Sequence, residues 1–299
     1  MRKLTSLKSL ILVLAVLFAM TTLFAACGQK AEETKPSETT KAAETKKEET
    51  KGVEGNIIIA GSTSVQPLAQ ELADKFMEAN KGVKIDVQGG GSSAGVKAAI
   101  DGTADIGTSS RDLKEEEKNS GLTETVICLD GIAVVVNPKN TVSDLKKDDI
   151  TKIFLGEIKN WKEVGGPDKN IVVVSREAGS GTRGAFEELL KLEKDKKSLL
   201  VSTALIQEGN GAVKAAVASK EDAIGYVSLG YLDNTLKAVK VDGVECSEDT
   251  IKAKKYAISR PFLMLTKGEM KPQVKAFIDY ILSGKGQETI KAKHYITVK

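Results

Sequence analysis

The nine residues Ser175-Arg176-Glu177-Ala178-Gly179-Ser180-Gly181-Thr182-Arg183 constrain this chain more than any other stretch. Ile171-Val172-Val173-Val174 before them is an apolar run of the kind that forms a buried strand, and Ala185-Phe186-Glu187-Glu188-Leu189-Leu190 after them reads as a helix. A strand that passes through a glycine-rich turn straight into a helix belongs to an α/β fold. It also aims free N–H groups and the positive end of a helix dipole at one point. Glycine lets the backbone come close, Ser180 and Thr182 each bring a hydroxyl, and Arg176 brings a planar fork. These are the donors a small tetrahedral oxyanion needs, and none of them is a catalytic base.

Two plainer readings compete. Gly179 to Gly184 matches G-x-G-x-x-G, the dinucleotide fingerprint, but that fingerprint belongs with an acidic residue about 20 positions on, and the stretch around Leu199 to Thr203 carries none. Ser180 and Thr182 could also be ordinary helix caps. The turn has company, however. Gly61-Ser62-Thr63-Ser64 follows the apolar run Asn56 to Ala60 and precedes a helix with Leu68, Leu72 and Phe76 at helical spacing. Gly89-Gly90-Gly91-Ser92-Ser93-Ala94-Gly95 repeats the design after the strand Val83 to Val87, and Thr108-Ser109-Ser110-Arg111 closes a further short strand. If these strands are parallel neighbours, three helix N-termini, each worth roughly half a positive charge, meet at the carboxyl edge of one sheet.

In order and spacing, Gly61-Ser-Thr-Ser-x-x-Pro67, Gly89-Gly-Gly-Ser-Ser-x-Gly95-Val-Lys, Ser109-Ser-Arg111 and Arg176-Glu-x-Gly-Ser-Gly-Thr-Arg183 resemble the substrate-binding proteins of phosphate ABC transporters, the PstS-like phosphate-binding lipoproteins. Ile153-Phe-x-Gly-x-Ile-x-Asn-Trp161, Ala223-Ile-Gly-Tyr-Val227 and Ser259-Arg-Pro-Phe262 extend the likeness over the region from residue 56 to the end. The resemblance implies that phosphate is held by Thr63, Ser64, Ser92, Ser110, Arg176, Ser180, Gly181 and Thr182, with Ser93, Arg111 and Asp130 as additional candidates. Two positions depart from the family pattern. Ser110 stands where many relatives carry an aspartate that accepts the proton of hydrogen phosphate, and a serine, which both donates and accepts, leaves sulfate open as a ligand. Ala178 stands where relatives often place an aspartate that buttresses the arginine, so Glu177 or another carboxylate has to take that part. Asp130 is the candidate proton acceptor.

The resemblance further implies a two-lobed type II periplasmic-binding-protein fold with a double crossover hinge. Lobe I is expected over 56–129 and 258–299, and lobe II over 130–257. Thr125 to Val136, interrupted at Asp130-Gly131, reads as the first crossover. Ile258 to Thr266, broken at Pro261, reads as the return, and helices near Lys271 to Ser283 and Gly286 to Lys293 finish lobe I.

Residues 1–26 carry Arg2, Lys3 and Lys8 ahead of an apolar run, the pattern of a secretory signal peptide. The segment Leu23-Phe-Ala-Ala-Cys27 resembles a lipobox, making Cys27 the expected site of lipid attachment to a membrane. Residues 27–55, almost entirely Lys, Glu, Thr, Ala and Ser, are expected to form a disordered tether, because they cannot bury enough surface to offset ordering entropy.

Composition closes other routes. The charge is +3, from 44 basic and 41 acidic residues, and loss of the signal's three basic residues brings it to zero, so nothing marks a nucleic-acid surface. The run Lys191 to Lys197, which also holds Glu193 and Asp195, reads as a solvated helix end. With one histidine, His294, and no C-x-x-C, neither a Ser-His couple nor a metal or cofactor is expected. Cys128 and Cys246 leave a disulfide open, although Cys128 within an apolar run reads as a buried thiol. No G-x-x-x-x-G-K-[ST] occurs, so ATP hydrolysis falls to a subunit separate from the expected permease partner. The expectation is a monomeric receptor for inorganic phosphate, not an enzyme. A receptor for another oxyanion, an α/β enzyme built on the glycine turn, and an adhesin are the alternatives.

Overall fold

A computed structural model describes residues 52–298. Strand β1 (Gly55–Gly61) buries Ile57 and Ile59 and leaves Ile58 exposed, the alternation of a strand covered by a helix on one face. Helix α1 (Gln66–Ala79) lies against it through Leu68, Leu72 and Phe76. Strand β2 (Val83–Gly89) runs parallel to β1, from Gly55 opposite Val83 to Gly61 opposite Gly89. Helix α2 (Ser92–Asp101) then leads to β3 (Ile106–Ser109), parallel to β1 on its other side. Because the three strands point the same way, Gly61, Gly89 and Ser109 finish at one edge of the sheet, where the glycine- and hydroxyl-rich turns begin.

Strand β4 (Leu122–Val136) is one continuous strand of 15 residues. The remaining elements of the frame are β5 (Val172–Arg176), α3 (Gly181–Leu189), β6 (Leu205–Gln207), α4 (Gly209–Ser219), β7 (Ala223–Ser228), β8 (Ser259–Lys267), α5 (Pro272–Leu282), α6 (Gly284–Ala292) and β9 (Ile296–Thr297). The sheet order is β2-β1-β3-β8-β4-β7-β5-β6, with β9 also on β4. The first part of β4, from Leu122 to Gly131, pairs antiparallel with β8; its last residues, Ile132 to Val136, pair with β7. A single strand thus carries the chain from one half of the sheet to the other. The cores divide in the same way. Ile57, Leu72, Phe76, Phe262 and Phe277 pack in one half, with Phe76 and Phe277 edge-on at 5.2 Å between ring centroids. Phe154, Trp161, Phe186 and Tyr226 pack in the other, with Phe186 stacked on Tyr226 at 4.0 Å.

Three local expectations are corrected. Asp130-Gly131 does not interrupt β4. Gly131 is there for packing: a Cβ would lie 2.6 Å from both Cys246 Sγ and Ile251 Cδ1. Pro261 does not break β8 either. It pairs with Leu129 where β3, which reaches only Leu263, no longer flanks the strand, so the missing N–H costs no ladder bond, and the irregularity falls between Phe262 and Leu263. The lysine-rich run is a hairpin, with Glu193–Lys194 antiparallel to Lys197–Ser198 and Asp195 and Lys196 at φ 52° and 61°. The two-residue turn takes both positive φ values without the Asn-Gly or Asp-Gly signature that would announce it.

Both cysteines of the described residues are free thiols, Cys128 fully buried and Cys246 partly so, and burial raises the pKa of each. The expected signal peptide, Cys27 and all but the last residues of the expected tether lie outside the described residues.

Candidate anion-binding site

Each turn at the carboxyl edge starts a helix in its own way. Before α1, Ser62 Oγ accepts from the backbone N–H groups of Ser64 (3.2 Å) and Val65 (3.4 Å), so Ser62 acts as a cap and leaves Thr63 and Ser64 to project beyond it. Ser92, the first residue of α2, accepts the Ser110 N–H on its Oγ at 3.0 Å. At α3, Ser180 is the N-cap and its Oγ accepts the Arg183 N–H at 3.2 Å. The capping reading therefore holds for Ser62 and Ser180; the Ser180 Oγ accepts from the backbone and keeps its hydroxyl proton for donation.

The two halves of the sheet bring these helix starts together. Ser64 Oγ and Thr182 Oγ1 share a hydrogen bond of 2.7 Å, and the Ser93 N–H donates to Gly179 O at 3.1 Å. Gly181 faces α2 so closely that a Cβ would sit 2.0 Å from Ser92 Oγ and 2.6 Å from Ser110 Oγ, which only glycine permits. Ser62 Oγ donates to Ser110 Oγ at 2.8 Å. Thr63, Ser64, Ser92, Ser110, Ser180, Gly181 and Thr182 are thus neighbours along the cleft line where the two halves of the sheet close on each other in direct contact.

Arg176, at the end of β5 and 1 % exposed, spans that cleft. Its Nη2 donates to Thr63 Oγ1 at 2.9 Å, and its Nε and Nη2 grip Glu177 at 2.8 and 2.7 Å. Glu177 also accepts the N–H of Gly209. Burial alone would raise the pKa of Glu177, but the Arg176 guanidinium and these N–H donors outweigh it and hold the carboxyl below its usual value. Beneath the arginine, Tyr226 shares a 2.7 Å hydrogen bond with Ser175 Oγ and accepts the Arg176 N–H at 3.4 Å. Burial pushes its phenol up to about 12, so it stays neutral.

The additional candidates are placed differently. Arg111 is buried, but its fork is engaged by Glu117 at 2.7 and 2.8 Å and by Ser93 Oγ at 3.2 Å, so it braces the start of α2. Asp130 is fully buried with both oxygens occupied. Oδ1 accepts from Ser228 Oγ (2.9 Å) and the Leu229 N–H (3.2 Å), and Oδ2 accepts from Arg260 Nε (3.1 Å) and Nη2 (2.9 Å). Burial raises its pKa, with Arg260 and the other donors pulling the opposite way.

Two polar residues of the cluster escaped the sequence reading. Asn210, 1 % exposed near the start of α4, donates from Nδ2 to Ser64 Oγ at 2.9 Å and accepts the Ser228 N–H. Its signal was present: Gly209-Asn210-Gly211 follows a strand and opens a helix like the other three turns, but carries an amide instead of a hydroxyl. Arg260 Nη2 reaches Ser64 Oγ at 3.2 Å. It was visible only as part of the Ser259-Arg-Pro-Phe262 likeness. The next strand of the main sheet after α3 is β6, not the stretch Leu199 to Thr203, and the acidic residue that does follow it, Glu208, is exposed. Exposed His294 occupies a turn at φ 63°. Among the described residues no cluster of His, Cys, Asp or Glu could hold a metal, and no helix is long and apolar enough to cross a membrane.

Two α/β halves joined by crossing strands, with hydroxyls, amides and guanidinium from both halves converging on one cleft, define the class of two-lobed solute-binding proteins. The description "PBP superfamily domain" matches residues 35–285. The phosphate-binding protein PstS of Bacillus subtilis is 34% identical over 291 residues, covering 95% of this chain and 92% of that protein. PstS of Borreliella burgdorferi is 30% identical over 81% of this chain and 90% of its own length. A Clostridium perfringens structure described as a phosphate ABC transporter substrate-binding protein with bound phosphate superposes with a TM-score of 0.80 at 45% identity, over 82% of this chain and all of that one. An ABC-type phosphate transport receptor from Vibrio cholerae gives 0.71 at 38% identity, over 81% of this chain and 99% of that chain. The chain belongs to the PstS family of phosphate-binding proteins, and its fold is the two-lobed type II form.

Proposed function

We propose that this protein captures inorganic phosphate outside the cytoplasm and delivers it to an ABC permease driven by a separate ATPase. The observation that carries this reading is the reach of Arg176 across the cleft to Thr63, beside helix starts that face one another from both halves. A dianion leaves water only where many donors replace it. Here the donors are Thr63, Ser64, Ser92 and Ser110 from one half, and Arg176, Ser180, Thr182 and the Gly181 N–H from the other. Neither half alone completes the set, so the anion binds the closed form better and shifts the hinge equilibrium toward it. The lobes in this reading are 56–129 with 258–299, and 130–257. The permease senses closure, and the anion leaves when the lobes part.

Nothing in this cycle alters the ligand, in keeping with a family of binding proteins rather than enzymes. In the same reading residues 1–26 direct export, lipidated Cys27 anchors a monomeric head to the membrane, and residues 27–55 give it reach of roughly 30 Å. Sulfate is the second reading, favoured by a specific observation. The oxygens of Asp130 and Glu177 are all taken by protein donors, and the cluster's hydroxyl side chains, Ser110 among them, can donate to a fully ionised anion.

The test is calorimetric titration of the protein, freed of carried-over ligand by unfolding and refolding, with phosphate and then sulfate near neutral pH. One-to-one phosphate binding is expected. Equal binding of sulfate would widen the ligand class, and a folded protein that binds neither would remove the receptor reading.

A further inference from the structure

Arg260 holds a position that its ion pair does not explain. Nε and Nη2 donate to Asp130 Oδ2 along one edge of the guanidinium, and Nη2 also reaches Ser64 Oγ at 3.2 Å. A guanidinium is planar, so the Nη1 and Nη2 hydrogens on their shared edge point the same way. With its other edge committed to Asp130, Nη2 meets Ser64 from the edge it shares with Nη1, and Nη1 is therefore aimed at the Ser64 side of the cleft. The Arg260 side chain is 2 % exposed, and Nη1 has no hydrogen-bond partner among the described residues. Buried charged donors are rarely left unmatched, because the lost hydration has to be replaced. Ser64 is the hub at this point, bonded to Thr182, Asn210 and Arg260 together.

We propose that Arg260 is a second guanidinium contact for the bound oxyanion, with Nη1 donating to an anion oxygen from the hinge side while Arg176 acts from the opposite lobe. This inference rests on the phosphate reading above and deepens it. The two guanidiniums are close enough to repel: besides burial, the charge of Arg176 bears on Arg260 and disfavours its charged form. A dianion set against both relieves that repulsion. Asp130 keeps the fork fixed and uses only one of its edges. Because Arg260 lies on β8 opposite Asp130 on β4, the contact comes from the pair of strands that join the halves, not from a mobile loop. Arg260 on this account favours tetrahedral dianions over singly charged ligands of the same shape.

The experiment compares inorganic phosphate binding by the wild-type protein, Asp130→Asn, and the double variant Asp130→Asn/Arg260→Gln, each checked for folding by denaturant titration. The double variant replaces both charges with amides and avoids burying one alone. It is expected to fold and to bind phosphate at least about tenfold more weakly, the loss of one charge-assisted hydrogen bond. Asp130→Asn keeps the guanidinium and an amide oxygen to accept from its fork, and is expected to lose less phosphate affinity than the double variant. A folded double variant within about twofold of wild type overturns the contact. An equal loss in Asp130→Asn also overturns it, reducing Arg260 to a brace, and if the single variant does not fold the double variant decides alone. A wild-type protein that takes up no phosphate defeats the functional reading, and this inference falls with it.

Discussion

Two of the arginine–carboxylate pairs among the described residues, Arg176–Glu177 and Arg260–Asp130, are built for different ends. Arg176 and Glu177 are adjacent in sequence, sit at the end of a strand and face the cleft, with the Glu177 side chain 23 % exposed. Arg260 and Asp130 lie 130 positions apart in sequence and pair across β8 and β4, at 2 % and 0 % exposure. Glu177 is held below its usual pKa by its arginine, whereas Asp130 is raised by burial. In the proposed reading the first pair orients a cation toward the anion. The second locks the strands on which the halves turn. One kind of contact thus serves recognition at the edge of the cleft and conformational definition at its base.

The contrast is sharpest in stability. Asp130→Ala leaves the Arg260 guanidinium buried and unpaired, and is expected to destabilise the protein by about 3–5 kcal/mol, read from denaturant unfolding. A loss no larger than that of a surface substitution would show that Asp130 is not the lock. A smaller effect, present at neutral pH and lost in acid, is expected at the other pair. The lowered pKa of Glu177 means that its ion pair contributes stability above about pH 4.5, the ordinary glutamate value, and loses it as pH falls through the lower folded value. Glu177→Gln should therefore lose stability against wild type at neutral pH and converge with it below that range. A constant difference at every pH would break the comparison, since the glutamate's charge would then be irrelevant.

The two pairs also differ in how legible they were. Arg176 and its turn could be read because strand, glycines, hydroxyls and helix lie within one short window, where backbone direction follows from local pattern. The same holds for the starts of α1 and α2. The Asp130–Arg260 pair left no such trace: each residue is embedded in an apolar strand, and only the antiparallel register of β4 and β8 brings them together. Asn210 had the right setting but the wrong functional group for the pattern being sought. Gly131 and Pro261 misled because glycine and proline were read as breaks, when one answers to packing against Cys246 and Ile251 and the other to a strand flanked on one side. The hairpin at Glu193 to Ser198 misled because a lysine-rich composition reports exposure and says nothing of backbone path. The α/β class and the convergence of the turns are short-range information. The pairing of the crossing strands is long-range.

The most direct test of the central claim, that the anion binds between the halves against the Arg176 guanidinium, is a phosphate titration of Arg176→Ala beside the wild type, with folding of both verified. Removal of several charge-assisted hydrogen bonds predicts a loss of at least about 100-fold in affinity in a protein that still folds. A folded Arg176→Ala protein that binds phosphate as tightly as the wild type would contradict the account.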